Sequence, residues 1–235
     1  MREGQIIVTG ASRGIGAAIA SDLTSRGFSV AALSRSGTSP VGRSLSCDVT
    51  SESSIVDAFR AVASHGPILG LVNNAGAHEA KASNELSAAE FEATLRLNAT
   101  SVLIGAREAY PHLMAARGGL IVNIGSFFDK FGVPGSLAYC ASKAAVGAIT
   151  RCLAAEWAKD NIRVINVAPG YIETDLNRDF LARDKTRDWM AKRVPLGRAG
   201  QVEEVARLVG ALFSEDIGYL TGETIYLDGG QGINH

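Results

Sequence analysis

The sequence predicts an α/β fold, a single doubly wound domain of about seven parallel strands with helices on both faces. Three observations point there. Apolar runs of strand length alternate with longer segments of helical period, the pattern of a parallel sheet covered on both sides. A glycine-rich turn follows the first apolar run directly. The chain has 235 residues, 46% of them hydrophobic, which is enough for one large core.

Taken in order, the strand runs are 5–8, 28–33, 44–47, 68–72, 120–124, 163–167 and 224–227. Helical periodicity fills the intervals at about 14–26, 53–64, 88–117, 137–159 and 202–213. One interval departs from the alternation. Residues 34–43 hold two glycines and a proline, too short and broken for a crossover helix, so a loop is expected there. Residues 173–193 are crowded with charges of both signs around Phe180, Leu181, Trp189 and Met190. They read as a solvated amphipathic helix pair. Because the segment follows a strand end, an insertion at about 172–195 is also placed to cover a ligand crevice as a lid.

Composition excludes several classes. A formal net charge of −1, with no basic stripe, argues against a nucleic-acid surface. No run of about 18 apolar residues is present and no signal peptide precedes the first strand, so the expected location is the cytoplasm, away from membranes. Cys47, Cys140 and Cys152 are an odd set without metal-ligand spacing, and the four histidines are scattered. No metal site or disulfide framework is expected, and the thiols read as core or near-core residues.

The glycine-rich turn is Thr9-Gly10-Ala11-Ser12-Arg13-Gly14-Ile15-Gly16. Glycines at 10, 14 and 16 permit a sharp turn and close backbone approach, and the helix opening near Gly14 aims unpaired N–H groups at an anion such as a pyrophosphate. The spacing is G-x-x-x-G-x-G, not the commoner G-x-G-x-x-G, and the same glycines would also serve a plain tight turn. At the end of the second strand, Leu33-Ser34-Arg35-Ser36 lacks the carboxylate that usually meets an adenosine ribose. Arg35, with Arg13 nearby in sequence to the glycines, is suited to a 2′-phosphate, which favours NADP(H) over NAD(H). The other reading has Arg35 pointing into solvent.

Tyr139 and Lys143, in Tyr139-Cys140-Ala141-Ser142-Lys143, are four apart and share a helix face. An ammonium beside a phenol favours the phenolate, so the pair is expected to lower the tyrosine pKa and make it a proton donor and acceptor for a carbonyl–alcohol pair. Alone, this spacing is common on ordinary helices. Ser126, at the end of the strand at 120–124, adds a hydroxyl at the sheet's carboxyl edge that can donate to a substrate oxygen or simply end the strand.

These motifs, together with Cys47-Asp48-Val49, Asn73-Asn74-Ala75-Gly76, Leu97-Asn98-Ala99 and Pro169-Gly170-Tyr171-Ile172-Glu173-Thr174, run end to end along the chain. It resembles the short-chain dehydrogenase/reductase superfamily, in particular its 3-oxoacyl-[acyl-carrier-protein] reductase-like branch, with a Rossmann domain. The resemblance implies an NAD(P)-dependent oxidoreductase in which Ser126 polarises the carbonyl, Tyr139 is the general acid/base, and Lys143 lowers the tyrosine pKa and holds the nicotinamide ribose. Asn98 completes the set, at a distortion of the family's long fourth helix, where a carbonyl-held water relays protons to the lysine.

By the same resemblance Gly10, Ser12, Arg13, Ile15 and Gly16 form the pyrophosphate loop. Asp48 and Val49 border the adenine, Asn74, Ala75 and Gly76 support the adenosine side, and Pro169, Gly170, Ile172 and Thr174 hold the nicotinamide, while Asn73 stabilises the sheet. Phe127 and Phe128 either shape the pocket or pack into the core.

An acyl-carrier partner is weakened by Asp160-Asn161, where the branch carries an arginine, although Arg117 matches its other basic position. A free small ketone or alcohol is at least as suitable. Family members of this size are commonly homotetramers, and Ala141, Ala144, Ala145 and Ala148 offer small surfaces for such contacts or for packing on the sheet. Two other functions compete: an NAD-dependent catabolic alcohol dehydrogenase, opposed by Arg35, and a non-catalytic dinucleotide-sensing scaffold, opposed by the full set of reacting residues.

Overall fold

The computed structural model describes residues 4–175, 177–215 and 217–234. Residues 1–3, which precede the first strand run, lie outside them. Seven strands form one parallel sheet: β1 (Gln5–Thr9), β2 (Ser29–Ser34), β3 (Arg43–Ser46), β4 (Ile68–Asn73), β5 (Gly119–Ile124), β6 (Ile162–Pro169) and, after two short strands described below, β9 (Thr224–Leu227). Their order is β3-β2-β1-β4-β5-β6-β9, so the direction of winding reverses between β1 and β4.

Pleating sends alternate residues to opposite faces. Ile6 and Val8 join Ile19 and Leu23 of α1 (Gly14–Ser25) and Val205 and Val209 of α8 (Val202–Ser214) in one core. Ile7 joins the opposite core, with Phe59 of α2 (Glu52–Ala63), Leu113 of α4 (Ser101–Ala115) and Leu153 of α5 (Leu137–Trp157). Between β2 and β3 the chain is the expected loop, closed by Thr38 N donating to Ser34 Oγ at 3.2 Å and Ser34 Oγ donating to Thr38 O at 2.9 Å.

Three differences from the sequence reading stand out. The helix expected from periodicity at 88–117 is broken into α3 (Ala88–Leu95) and α4 by a π turn, Arg96–Thr100, at the place where the resemblance put a distortion. The extra residue in that turn carries Asn98 inward, where it is 0% exposed. The insertion does hold two helices, α6 (Arg178–Leu181) and α7 (Asp184–Arg193), but its ends are also paired as strands, β7 (Ile172–Glu173) against β8 (Gly200–Gln201). Finally, Cys152 is not a core thiol. It lies on the exposed face of α5, Cys47 is buried, and Cys140 is partly exposed.

Candidate active site

The carboxyl ends of β1, β4 and β5 carry the predicted residues, and hydrogen bonds between their loops show how they are held. Thr9 ends β1, and its Oγ1 accepts the amides of Asn74 at 3.0 Å and Ala75 at 3.1 Å. Asn74 Nδ2 returns to Thr9 O at 2.8 Å and Gly10 O at 3.3 Å. The turn after β4 is thereby stitched to the glycine loop. A Cβ at Gly10, whose φ is +67°, would lie 2.9 Å from Ala75 Cα, and one at Gly16 would overlap Gly10 O and Asn74 Nδ2. Only glycine fits this close approach.

At the start of α1, no side chain caps the first turn and no acidic residue occupies it. Its amides and the positive end of its dipole are left for an anion, and the exposed Ser12 and Arg13 stand at the same end. Thr174 Cγ2 comes within 3.7 Å of where a Gly14 Cβ would sit, so the segment after β6 reaches this loop. Arg35 is exposed at the end of β2. Asp48 is held below the usual carboxylate range, first by the Thr50 amide and hydroxyl and in lesser part by the charge of Arg35, which places the two at one end of the cradle. Val49 beside it is buried. On these observations the residues fit a dinucleotide with its pyrophosphate on α1.

The reacting groups gather beyond β5. Ser126 Oγ accepts the Phe128 amide at 3.3 Å, and the Ser126 side chain is near enough to the Tyr139 phenol to favour its ionised form. Since a hydroxyl has one proton and that of Ser126 is not used on the amide, it is available to the phenol oxygen. Lys143 is 5% exposed. Its Nζ donates to Ile124 O at 2.8 Å and lies 5.6 Å from the Tyr139 ring centroid. Asn98 Nδ2 donates to Ala77 O at 2.9 Å and to Ser142 Oγ at 3.1 Å, while its Oδ1 accepts the Ala77 amide at 3.0 Å. Ser142 Oγ in turn donates to Tyr139 O at 2.7 Å. Gly76 lies alongside, with a Cβ there 3.1 Å from Asn98 Oδ1 and 3.6 Å from Lys143 Nζ.

The electrostatics correct one expectation. Tyr139 was expected to be acidified by Lys143. In the chain alone its pKa is instead raised, chiefly by burial, with the Ser126 side chain opposing. Burial also lowers the Lys143 ammonium to about 8. The physical reason is that both groups are withdrawn from water, and the ammonium is spent on a carbonyl at the end of β5 rather than on the phenol.

Other placements refine the reading. Ile172 is 7% exposed and packs with the core that holds Ile6 and Val8. The amide and hydroxyl of Thr174 both donate to Asn177 Oδ1, at 2.7 and 3.1 Å. Pro169 ends β6 and is buried, and Gly170 N donates to Leu227 O at 2.9 Å. Phe127 and Phe128, 4% and 7% exposed, pack inward. Asn73 donates to Asn123 Oδ1 at 3.0 Å, within the sheet as expected. Sequence reasoning missed Thr9, Ser142 and Asn177, which hold other site residues, and His78, whose ring packs on Tyr139 at 4.7 Å. Of these, Thr9 and Ser142 carried a signal, their places inside the glycine-rich turn and the Tyr139–Lys143 motif.

With this geometry in view, comparison with known proteins is consistent over the whole chain. Residues 10–231 match the family model described as enoyl-(acyl carrier protein) reductase. The 3-oxoacyl-[acyl-carrier-protein] reductase MabA of Mycobacterium tuberculosis is 36% identical, covering 98% of this chain and 93% of its own. Gluconate 5-dehydrogenase of Gluconobacter oxydans is 32% identical, covering 95% and 93%. A solved gluconate 5-dehydrogenase from Burkholderia cenocepacia, in complex with NADP and tartrate, superposes with a TM-score of 0.92 at 29% identity, covering 100% and 97%. The chain belongs to the short-chain dehydrogenase/reductase family of oxidoreductases.

Proposed function

We propose that this protein transfers a hydride reversibly between NADP(H) and a ketone or secondary alcohol, with Tyr139 as general acid/base. The observation that carries the reading is the gathering of Ser126, Tyr139 and Lys143 at the carboxyl edge of β5, with the ammonium held on Ile124 O and 5.6 Å from the Tyr139 ring, and Ser126 acting on its phenol. A carbonyl oxygen set between the two hydroxyls receives two hydrogen bonds that strengthen as negative charge grows on it. Tyr139 supplies the proton in reduction and takes it back in oxidation. Its raised pKa keeps the phenol protonated at neutral pH, which suits the reducing direction. Lys143 presents a buried cation toward a nucleotide ribose, and Asn98 fixes both the Ala77 loop and, through Ser142, the backbone of Tyr139. When bound, the nicotinamide supplies the hydride donor or acceptor.

A screen of ketones, secondary alcohols and acyl thioesters, read through nicotinamide absorbance, tests the activity. Absence of turnover across the panel would sink it. The acyl-carrier branch is disfavoured further by Asp160, whose carboxylate accepts the Tyr110 hydroxyl at 3.0 Å and so is fixed where the branch carries a cation. A free small substrate is therefore preferred.

For the cofactor, Arg35 and Arg13 favour the 2′-phosphate, and the Ser36 and Thr38 hydroxyls, 2.7 Å apart on the same loop, add donors. The expected result is at least tenfold higher kcat/KM with NADPH than with NADH. Arg35→Glu should lower the NADPH value by about 10–100-fold, the worth of one or two charge-assisted bonds. Equal efficiency of the two nucleotides in the parent would overturn the preference.

The α6–α7 segment serves as the lid in this reading, and its Leu181, Met190 and Val194 pack with Tyr171. The assembly proposed is a homotetramer, and two surfaces support it. Ala144 and Ala148 are exposed rather than packed on the sheet, and all four residues of the edge strand β9 are only half-buried. Light scattering checks it. Among the described residues no helix is long and apolar enough to cross a membrane, and the exposed Cys152 thiol suits a reducing cytoplasm.

A further inference from the structure

His78 follows the Asn74–Gly76 turn and is unusually well fixed for a residue on a surface loop. Asn98 clamps the preceding residue by both its amide and its carbonyl. The imidazole lies 4.7 Å from the Tyr139 ring, tilted by 57°, and edge-on to Phe128 at 5.9 Å. Phe128 itself meets Tyr139 edge-on at 5.8 Å, so the three rings touch pairwise. The fourth contact is polar. His78 Nε2 lies 3.0 Å from the hydroxyl of Ser136.

Ser136 immediately precedes the helix that bears Tyr139. A serine there ordinarily uses its hydroxyl to cap the first turn. This one is 3% exposed and makes no capping bond. Its hydroxyl is directed to the imidazole instead, a diversion that a purely structural helix start does not require. Partial burial lowers the His78 pKa and so favours the neutral ring, which carries one N–H and one acceptor nitrogen.

We propose that His78 is a positioning residue for Tyr139: with Phe128 it sets the tilt of the phenol and keeps water from its face, so that the hydroxyl meets Ser126 in one orientation. The inference rests on the reading of Tyr139 as the acid/base, and reaches a residue outside the motifs that identify the family. Tilting the ring displaces the transferable proton and weakens a bond to the carbonyl oxygen that counts most as charge develops there, while the nucleotide contacts stay in place. The effect therefore falls on kcat rather than KM.

Three variants separate the ring from the hydrogen bond. His78→Phe keeps an aromatic face, His78→Gln keeps a partner for Ser136, and His78→Ala keeps neither. The expected loss in His78→Ala is about 10–100-fold in kcat, with KM and NADPH affinity within about threefold. His78→Phe should retain most of the activity, and His78→Gln less.

A second readout needs no turnover. The phenol of Tyr139 is titrated by ultraviolet difference absorbance, each variant being referenced to its Tyr139→Phe counterpart. The groups acting on that phenol are Ser126, Cys140, Lys143 and the imidazole itself, and only the last is changed. Because burial raises the pKa, opening the ring to water in His78→Ala should bring the midpoint down toward 10. An unchanged kcat, a rise in KM alone, or an unmoved midpoint overturns the proposal. If His78→Ala does not fold, the ranking of Phe above Gln decides. If the parent turns over no carbonyl compound, the proposed activity falls while the midpoint still tests the contact.

Discussion

Tyr139→Phe leaves nucleotide affinity within about threefold of the parent and lowers kcat by about 10²–10⁴-fold, the usual worth of a positioned acid or base. The ring contacts that seat residue 139 are made by the aromatic carbons, with His78 at 4.7 Å and Phe128 at 5.8 Å, so phenylalanine keeps them. Only the hydroxyl, with its transferable proton and its interaction with Ser126, is lost. The parent's pH dependence carries a matching sign. Reduction needs the protonated phenol, and burial holds that form in place through neutrality. Carbonyl reduction should be level from mildly acidic to neutral pH and fall only on the alkaline side, whereas alcohol oxidation should climb with pH. A Tyr139→Phe variant retaining more than a tenth of parental kcat would remove the phenol from the mechanism.

Lys143→Met separates activity from stability. The lysine's ordinary pKa of 10.5 is depressed to about 8 in the folded chain by burial. A cation with a depressed folded pKa opposes folding. The penalty is fully present below about pH 8 and is relieved as pH rises toward 10.5. At one pKa unit per 1.36 kcal/mol it amounts to about 3 kcal/mol at neutral pH. Against it stands the bond from Nζ to Ile124 O, whose loss costs about 1–3 kcal/mol. Methionine, similar in length and without charge, should leave the nucleotide-free protein as stable as the parent or up to about 2 kcal/mol more so at pH 7, while turnover falls by at least about 100-fold.

Urea midpoints of the two proteins, measured from pH 7 to 10, check this. The advantage of the variant should shrink across that range as the parent lysine loses its proton. A variant markedly less stable at pH 7, or a difference that does not change with pH, would show that the ammonium is not held at a cost.

What could be read from the residues follows the reach of the interactions involved. Ile6, Ile7 and Val8 declare a strand by themselves, and the glycines at 10, 14 and 16 declare a turn against a backbone, since both depend on neighbours a few positions away. The partnership of Tyr139 and Lys143 was visible for the same reason. The π turn was not. Residues 96–100 carry no break in periodicity, and Asn98 is drawn inward by bonds to Ala77, twenty-one positions earlier. The direction of the Tyr139 pKa was also out of reach. It is decided by burial beside rings from residues 78 and 128, whereas the sequence offered only the charge four residues on. His78 itself lies just past a recognisable motif and has no spacing to mark it.

The pairing of Ile172–Glu173 with Gly200–Gln201 closes the intervening stretch into a loop tied at its neck. A protease nick anywhere in 182–197 would therefore produce two fragments that stay fastened to the same body. Turnover lost after such a cut, with the fragments still co-eluting and still binding nucleotide, would assign the covering of the cleft to that stretch alone and separate it from the scaffold beneath.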